Sequence, residues 1–213
     1  IKLNKKLGLL GSNIGPNKDS SDRLNDYLIG LKTFYDDADY ITINISSPNT
    51  ENLRTFHEGD KLQDLLKSIM LEKKNLNSNI PIVVKISPDI NEDQINLISE
   101  ILLNNDIKAI IVSNTSEFSR DKLNNLQRHQ KGGLSGKPLE EKSNILIGKF
   151  YKLLKGKIKI IGVGGVDSAQ AAYTKFMAGA DLVQLYTGMV FKGPNIARIM
   201  KKELKELLIR DGV

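Results

Sequence analysis

The stretch Ile158-Lys159-Ile160-Ile161-Gly162-Val163-Gly164-Gly165-Val166-Asp167-Ser168 decides the fold. Its first six residues are mostly apolar and β-branched, as expected of a parallel strand covered on both faces. A glycine turn follows, and Asp167-Ser168 supplies a helix start ahead of Ala169. Strand, glycine turn and helix together make one βα unit.

Working outward, the same unit recurs in both directions. Downstream lies a strand over Leu182 to Tyr186 with a helix from about Asn195 to Arg210. Upstream are strand Ala109 to Val112 with helix about Leu139 to Leu154, strand Ile82 to Ile86 with helix about Glu92 to Asn104, and strand Tyr40 to Ile45 with helix about Lys61 to Leu76. The first unit is a glycine-broken strand over Leu7 to Ile14 followed by a helix over Asp19 to Phe34, with an apolar stripe at Leu24, Tyr27, Leu28 and Leu31. Strand and helix alternating this regularly means an α/β fold with a parallel sheet. A closed (β/α)8 barrel takes eight strands and typically ~250 residues. Six units therefore read either as an open sheet or as a barrel with two units absent.

Composition narrows the function. The 213 residues are 40% hydrophobic and 26% charged, the balance of one globular domain. No window approaches the roughly 18 uncharged apolar residues of a membrane span, and no signal segment opens the chain. The net charge of +6 is spread over many segments, and the six Tyr and six Phe are not interleaved with basic clusters. This reads as solvated helix faces, with no nucleic-acid partner, though a positive surface favours an anionic ligand. The absence of cysteine removes disulfides, thiolate nucleophiles and zinc-cysteine sites, and no metal site is expected. His57 and His129 lie in polar, loop-like segments and read as surface residues.

Polar and glycine residues collect just after strands, where barrel enzymes keep their sites: Asn13, Asn44 to Asn49, Ser113-Asn114-Thr115, Gly164-Gly165 and Tyr186-Thr187. A lone Gly-Gly turn fits a tight connection as well as a phosphate site. The second signal at Leu185-Tyr186-Thr187-Gly188 tips the reading to phosphate, since glycine turns and helix starts together favour anions. No dinucleotide fingerprint is present. Lys85 sits inside an apolar strand, where alternation points it inward with Val83, and a lysine facing a barrel mouth is a functional candidate over an edge lysine. The amides Asn13, Asn44, Asn49 and Asn114 each offer a donor and an acceptor, suited to uracil-like or carboxamide edges. From Glu117 to Lys131 the chain is polar and aperiodic, then runs through Gly132 to Pro138, the pattern of a lid or binding loop, with a solvated connector as the alternative for its first half.

With these residues assembled, the chain resembles the dihydroorotate dehydrogenases, in particular the class 2, quinone-reducing enzymes. The resemblance rests on Asn44-Ile45-Ser46-Ser47-Pro48-Asn49-Thr50, Val84-Lys85-Ile86-Ser87-Pro88-Asp89, Ser113-Asn114-Thr115, Gly132-Gly133-Leu134-Ser135-Gly136-Lys137-Pro138-Leu139, Ile161-Gly162-Val163-Gly164-Gly165-Val166 and Gln184-Leu185-Tyr186-Thr187-Gly188, in that order over essentially the whole chain. It implies a (β/α)8 TIM barrel that binds FMN and oxidises dihydroorotate to orotate in pyrimidine (UMP) biosynthesis, with quinone as acceptor. Ser47 matches the family's catalytic base. Asn44, Asn49, Asn114 and Thr115 match substrate positions, Asn44 also adjoining the flavin. Asn13, Lys85, Ser113, Gly136, Gly165, Tyr186 and Thr187 match FMN positions, the last three around the phosphate. Class 1 relatives use cysteine at the base position, so serine at 47 favours class 2. Ser113 stands where many members have Thr and keeps the hydroxyl.

Counting back from Tyr186 as the end of the eighth strand makes the first strand here the third. The family's two opening strands, an upstream glycine-rich flavin segment and a substrate-binding lysine are not among the matched motifs. The chain is therefore expected to be the C-terminal part of an FMN-binding barrel domain spanning 1–213, leaving a seam of strand edges and apolar surface. The resemblance further implies a peripheral position at an inner membrane, at the bacterial cytoplasmic face or in mitochondria, reached through a helical segment absent from this sequence. The alternatives are another FMN-dependent barrel oxidoreductase acting on a dihydropyrimidine-like substrate, and a non-catalytic phosphate-binding barrel fragment.

Overall fold

A computed structural model describes residues 8–48, 53–117, 120 and 123–212. The strands are β1 (Gly11–Ile14), β2 (Tyr40–Asn44), β3 (Ile82–Ile86), β4 (Ala109–Val112), β5 (Lys159–Val163) and β6 (Leu182–Gln184). They form one sheet in the order β1-β2-β3-β4-β5-β6, and every neighbouring pair is parallel. Between them run α1 (Arg23–Phe34), α2 (Gly59–Asn75), α3 (Glu92–Asn104), α4 (Glu140–Leu154) and α5 (Ala169–Met177), followed after β6 by α6 (Thr187–Lys192) and α7 (Ile196–Arg210). This is six consecutive units of a (β/α) barrel with sequential strand order.

Helix starts follow side-chain chemistry. Asp22 accepts from the Asn25 N–H at α1, and Ser168 accepts from the Ala171 N–H at α5. Asn91 and Gln94 form a reciprocal capping box at α3. Of the expected first strand, Leu7 to Ile14, Leu7 lies outside the described residues, and the described part forms strand only from Gly11. Leu9 is 84% exposed, and Leu10 is held by Asp39: its N–H donates to the Asp39 carboxylate at 2.8 Å and its carbonyl accepts from the Asp39 N–H at 2.7 Å. The last strand stops at Gln184 because the chain turns at Tyr186 into α6, a short helix not anticipated from the sequence.

Alternation along each strand separates two faces. Ile41, Ile43, Val84, Ile86, Ile110, Val112 and Ile160 face the helices and join Tyr27, Leu66, Ile69, Ile98, Ile147 and Phe150 in one large core. The other face carries a smaller cluster of Val83, Ala109, Ile111 and Ile161 with Tyr40 and Val163 packed against it. A third cluster lies beyond β5, where Val166, Ala172, Ile196 and Met200 join α5 and α7 over Val183 and Leu185. Among the described residues the sheet ends at β1 and β6, and beside β6 the side chains of Leu182, Val190 and Phe191 present apolar surface. That is the seam expected from the strand count.

Phe150, fully buried on α4, leaves a large cavity when truncated. Phe150→Ala is expected to destabilise the fold by about 3–5 kcal/mol in equilibrium urea unfolding. Ile145→Ala, on the exposed side of the same helix, is expected to stay within about 0.5 kcal/mol.

Candidate functional site

The parallel register sets the site. Cross-strand partners share a face, and the row Asn44, Lys85, Ile111, Ile161, Leu182 crosses five strands on the inner face. One step back lies the row Asn13, Thr42, Val83, Ala109. Lys85 is therefore level with Asn44 and points inward with Val83, and burial lowers its pKa below the ordinary lysine value.

A cavity of about 490 Å3 opens at the carboxyl ends of the strands. At its β3–β4 side are Lys85, Ser113, Asn114 and Thr115; at its β5–β6 side are Gly165, Tyr186 and Thr187, with Gly136 packed against Thr187. Eight expected site residues thus share one wall. Asn13, Asn44 and Ser47 do not line it; Asn13 is exposed on the edge strand β1, and Ser47 is half-buried after β2. Asn49 lies outside the described residues.

Asn114 joins the cavity wall to the loop after β2. Its side-chain nitrogen donates to Ser46 Oγ at 3.0 Å and reaches Asn44 Oδ1 at 3.4 Å, while Ser46 Oγ donates to that same Asn44 oxygen at 2.8 Å. Asn44 is fixed from behind, since the Tyr27 hydroxyl on α1 donates to its carbonyl at 2.7 Å. Asn114 Oδ1 in turn accepts from the Thr115 N–H at 2.8 Å. The loop after β2 and the loop after β4 are therefore one hydrogen-bonded unit.

The glycine segment lies over this wall. A Cβ on Gly133 would overlap the Thr115 hydroxyl and approach Pro48, so only glycine permits that contact. At the other end Ser135 Oγ and Thr187 Oγ1 are 3.0 Å apart. Of the polar stretch expected to be a lid or connector, Leu126–His129 forms a 3₁₀ turn, and Leu134 pairs with Ser116 in a short antiparallel bridge.

A polar cluster centred on Asp89, which carries the site's framework, was not anticipated. Asp89, after β3, has a side chain only 2% exposed. It accepts from Arg54 at 3.1 Å, Lys142 at 2.6 Å, Ser116 Oγ at 2.6 Å and the Glu117 N–H at 2.9 Å. Burial alone would raise its pKa, but the bonds from Lys142, Ser116 and Glu117 hold it below the usual carboxylate value. Arg54 also reaches the Thr115 carbonyl at 3.3 Å. This cluster ties the loops after β2, β3 and β4 to α4. In the sequence Asp89 closes the motif Val84-Lys85-Ile86-Ser87-Pro88-Asp89 with no role assigned to it.

His57 corrects the surface reading. It is 1% exposed, with Nδ1 at 2.9 Å from the Arg54 carbonyl and Nε2 accepting from the Ser87 N–H at 3.2 Å. Both ring nitrogens pair with backbone, so a histidine in a polar segment became a buried staple between two strand-end loops. His129 is exposed, as expected.

Comparison with known proteins follows the same lines. The family model described as dihydroorotate dehydrogenase matches residues 2–208. The chain is 46% identical over 218 residues to the dihydroorotate dehydrogenase (quinone) of Bartonella tribocorum, covering 100% of this chain and 60% of the relative. It is 42% identical over 210 residues to the dihydroorotate dehydrogenase (quinone) of Idiomarina loihiensis, covering 96% of this chain and 63% of the relative. The crystal structure of DHODH in complex with ferulenol from Eimeria tenella superposes with a TM-score of 0.94 at 33% identity, over 98% of this chain and 60% of that one. The chain thus spans about three fifths of the length of these relatives.

Burial lowers the His57 pKa from 6.5 to about 4, opposed by its bond to the Arg54 carbonyl and aided by the Arg54 charge. Protonated Nε2 would face the Ser87 N–H donor. Because the folded pKa lies below the unfolded one, this contribution to stability is complete above about pH 6.5 and is lost as pH falls towards 4. The difference corresponds to at most about 3 kcal/mol. Urea midpoints should fall across that window in the wild type, and His57→Gln should lack that part of the fall.

Proposed function

The chain belongs to the dihydroorotate dehydrogenase family, and from that premise we propose that, in a completed barrel, its site binds FMN and oxidises dihydroorotate to orotate with quinone as acceptor, in UMP biosynthesis. The observation that carries the reading is the convergence of Lys85, Ser113, Asn114, Thr115, Gly165 and Thr187 on one cavity at the strand ends. The donor set fits FMN. A glycine turn and a threonine hydroxyl at one end suit a phosphate, hydroxyls of Ser113 and Ser135 suit a polyol chain, and an inward ammonium suits an electron-rich ring.

The chemistry a bound FMN supplies is acceptance of the hydride from C6 of dihydroorotate and its delivery to quinone. Ser47 is the proposed base, taking the proton from C5. A serine hydroxyl is a weak base, so Ser47 hands its proton to a neighbour or a water chain within hydrogen-bond reach. Asn44, Asn114 and Thr115 hold the substrate ring, joined by Asn49. The Asn44–Ser46–Asn114 bonds keep these amides in place before substrate arrives, so little is lost in ordering them. Lys85 lies level with Asn44 and stabilises the negative charge that develops during oxidation. Asn13 completes the cofactor contacts from β1, at the edge where two further strands would pair.

Access to quinone and a peripheral place at an inner membrane belong to the same proposal. Among the described residues no helix is long and apolar enough to cross a membrane.

The test is anaerobic mixing of the full-length enzyme with dihydroorotate while flavin absorbance is followed. The wild type is expected to bleach, and Ser47→Ala to bleach ~10²–10⁴-fold more slowly while binding orotate as before. A wild-type flavin that dihydroorotate does not bleach overturns the assignment.

A further inference from the structure

Behind the Gly164–Gly165 turn lies a buried charge that the proposed reaction does not use. Lys175, on α5, is 0% exposed, although lysine is almost never fully buried without an anionic partner. Its Nζ donates to Ser143 Oγ at 2.9 Å and to Asn144 Oδ1 at 2.9 Å, both neutral acceptors on α4. Among the described residues no carboxylate lies within ion-pair distance of it. Burial lowers its pKa to about 8.

The surroundings are shaped to admit it. A Cβ on Gly162 would stand 3.0 Å from Lys175 Cδ and 2.9 Å from Ile147 Cδ1, so the lysine stem occupies the space that a side chain on β5 would take. Ser143 carries the contact forward. Its Oγ donates to the Val163 carbonyl at 2.6 Å, and that carbonyl also accepts from the Ser113 N–H at 3.2 Å. Ser143 Cβ further backs Gly164, where an added Cβ would come to 3.3 Å. One chain of contacts thus runs from the ammonium through Ser143 to the last peptide before the glycine turn.

Resting on the reading that this turn receives the FMN phosphate, we propose that Lys175 is a positioning residue that fixes the turn through Ser143 and places a compensating positive charge behind the bound phosphate. Two neutral acceptors leave the ammonium's field uncancelled, and a phosphate across the turn favours its charged form. The other charged groups around it are Glu140 and Lys137 at the start of α4, which ion-pair with each other, and Asp167 and Lys192 beyond the turn. Glu140 supports the Lys175 charge and Lys137 opposes it.

Riboflavin, which lacks the phosphate, separates this role from a structural one. The full-length apoenzyme is titrated with FMN and with riboflavin by flavin fluorescence. In Lys175→Met, FMN affinity is expected to fall about tenfold or more, with riboflavin affinity within about twofold of wild type. Lys175→Arg, which keeps its charge at every pH, restores the preference for FMN. Equal losses for both ligands overturn the inference and leave the phosphate site intact, whereas a wild type with no preference for FMN overturns the site and the inference together. Should the variants not fold, the wild type decides. Between pH 7.5 and 9.5 the phosphate stays dianionic, and Lys85, at the opposite end of the cavity, affects both ligands alike. The FMN-to-riboflavin affinity ratio is expected to decline across this range, and a flat ratio overturns the inference.

Discussion

The site depends on the parallel register of six strands. Because each neighbour runs the same way and pairs level with the last, all six carboxyl ends emerge on one side. Residues as distant in sequence as Asn44 and Thr187 thereby meet around one cavity and the loops beside it. The same register fixes orientation: with side chains alternating, Lys85 faces inward only while Val84 and Ile86 face the helices. A one-residue slip would bury its ammonium in the apolar core beneath α2 and α3.

The strand ends are held by polar bonds where the strand bodies are held by apolar packing. Asp89, His57, Ser143 and Asn114 each take hydrogen bonds from or give them to more than one segment, and all lie at the carboxyl-end side of the sheet. Buried groups of this kind cost free energy when any partner is missing, so each tolerates one arrangement of its loops. Apolar contacts alone would permit many. The loops that carry the amides and the glycine turn are therefore fixed before a ligand binds.

Most of the fold was legible in the sequence because its signals are local. Runs such as Ile82 to Ile86 read as covered strands, Asp167-Ser168 read as a helix start, and the glycine turn after Val163 marked a strand end. The departures have physical causes. Leu9 and Leu10 looked like strand, but an Asp39 carboxylate captures the backbone there. The helix Thr187–Lys192 is six residues long, too short to show a periodic stripe. His57 sits among polar neighbours in sequence, while its partners, the Arg54 carbonyl and the Ser87 N–H, come from two different loops.

The sequence by itself determined the α/β class, the number of units, the inward lysine and the motifs that join this chain to its family, since these follow from periodicity, residue type and short spacing. Only the tertiary structure decided that Asn114 bridges Ser46 and Asn44, that Asp89 gathers Arg54, Lys142 and Ser116, and that Lys175 reaches the back of the glycine turn. Those contacts join residues 27 to 70 positions apart. No local pattern encodes such pairs, because they exist only once the sheet has brought its strand ends together.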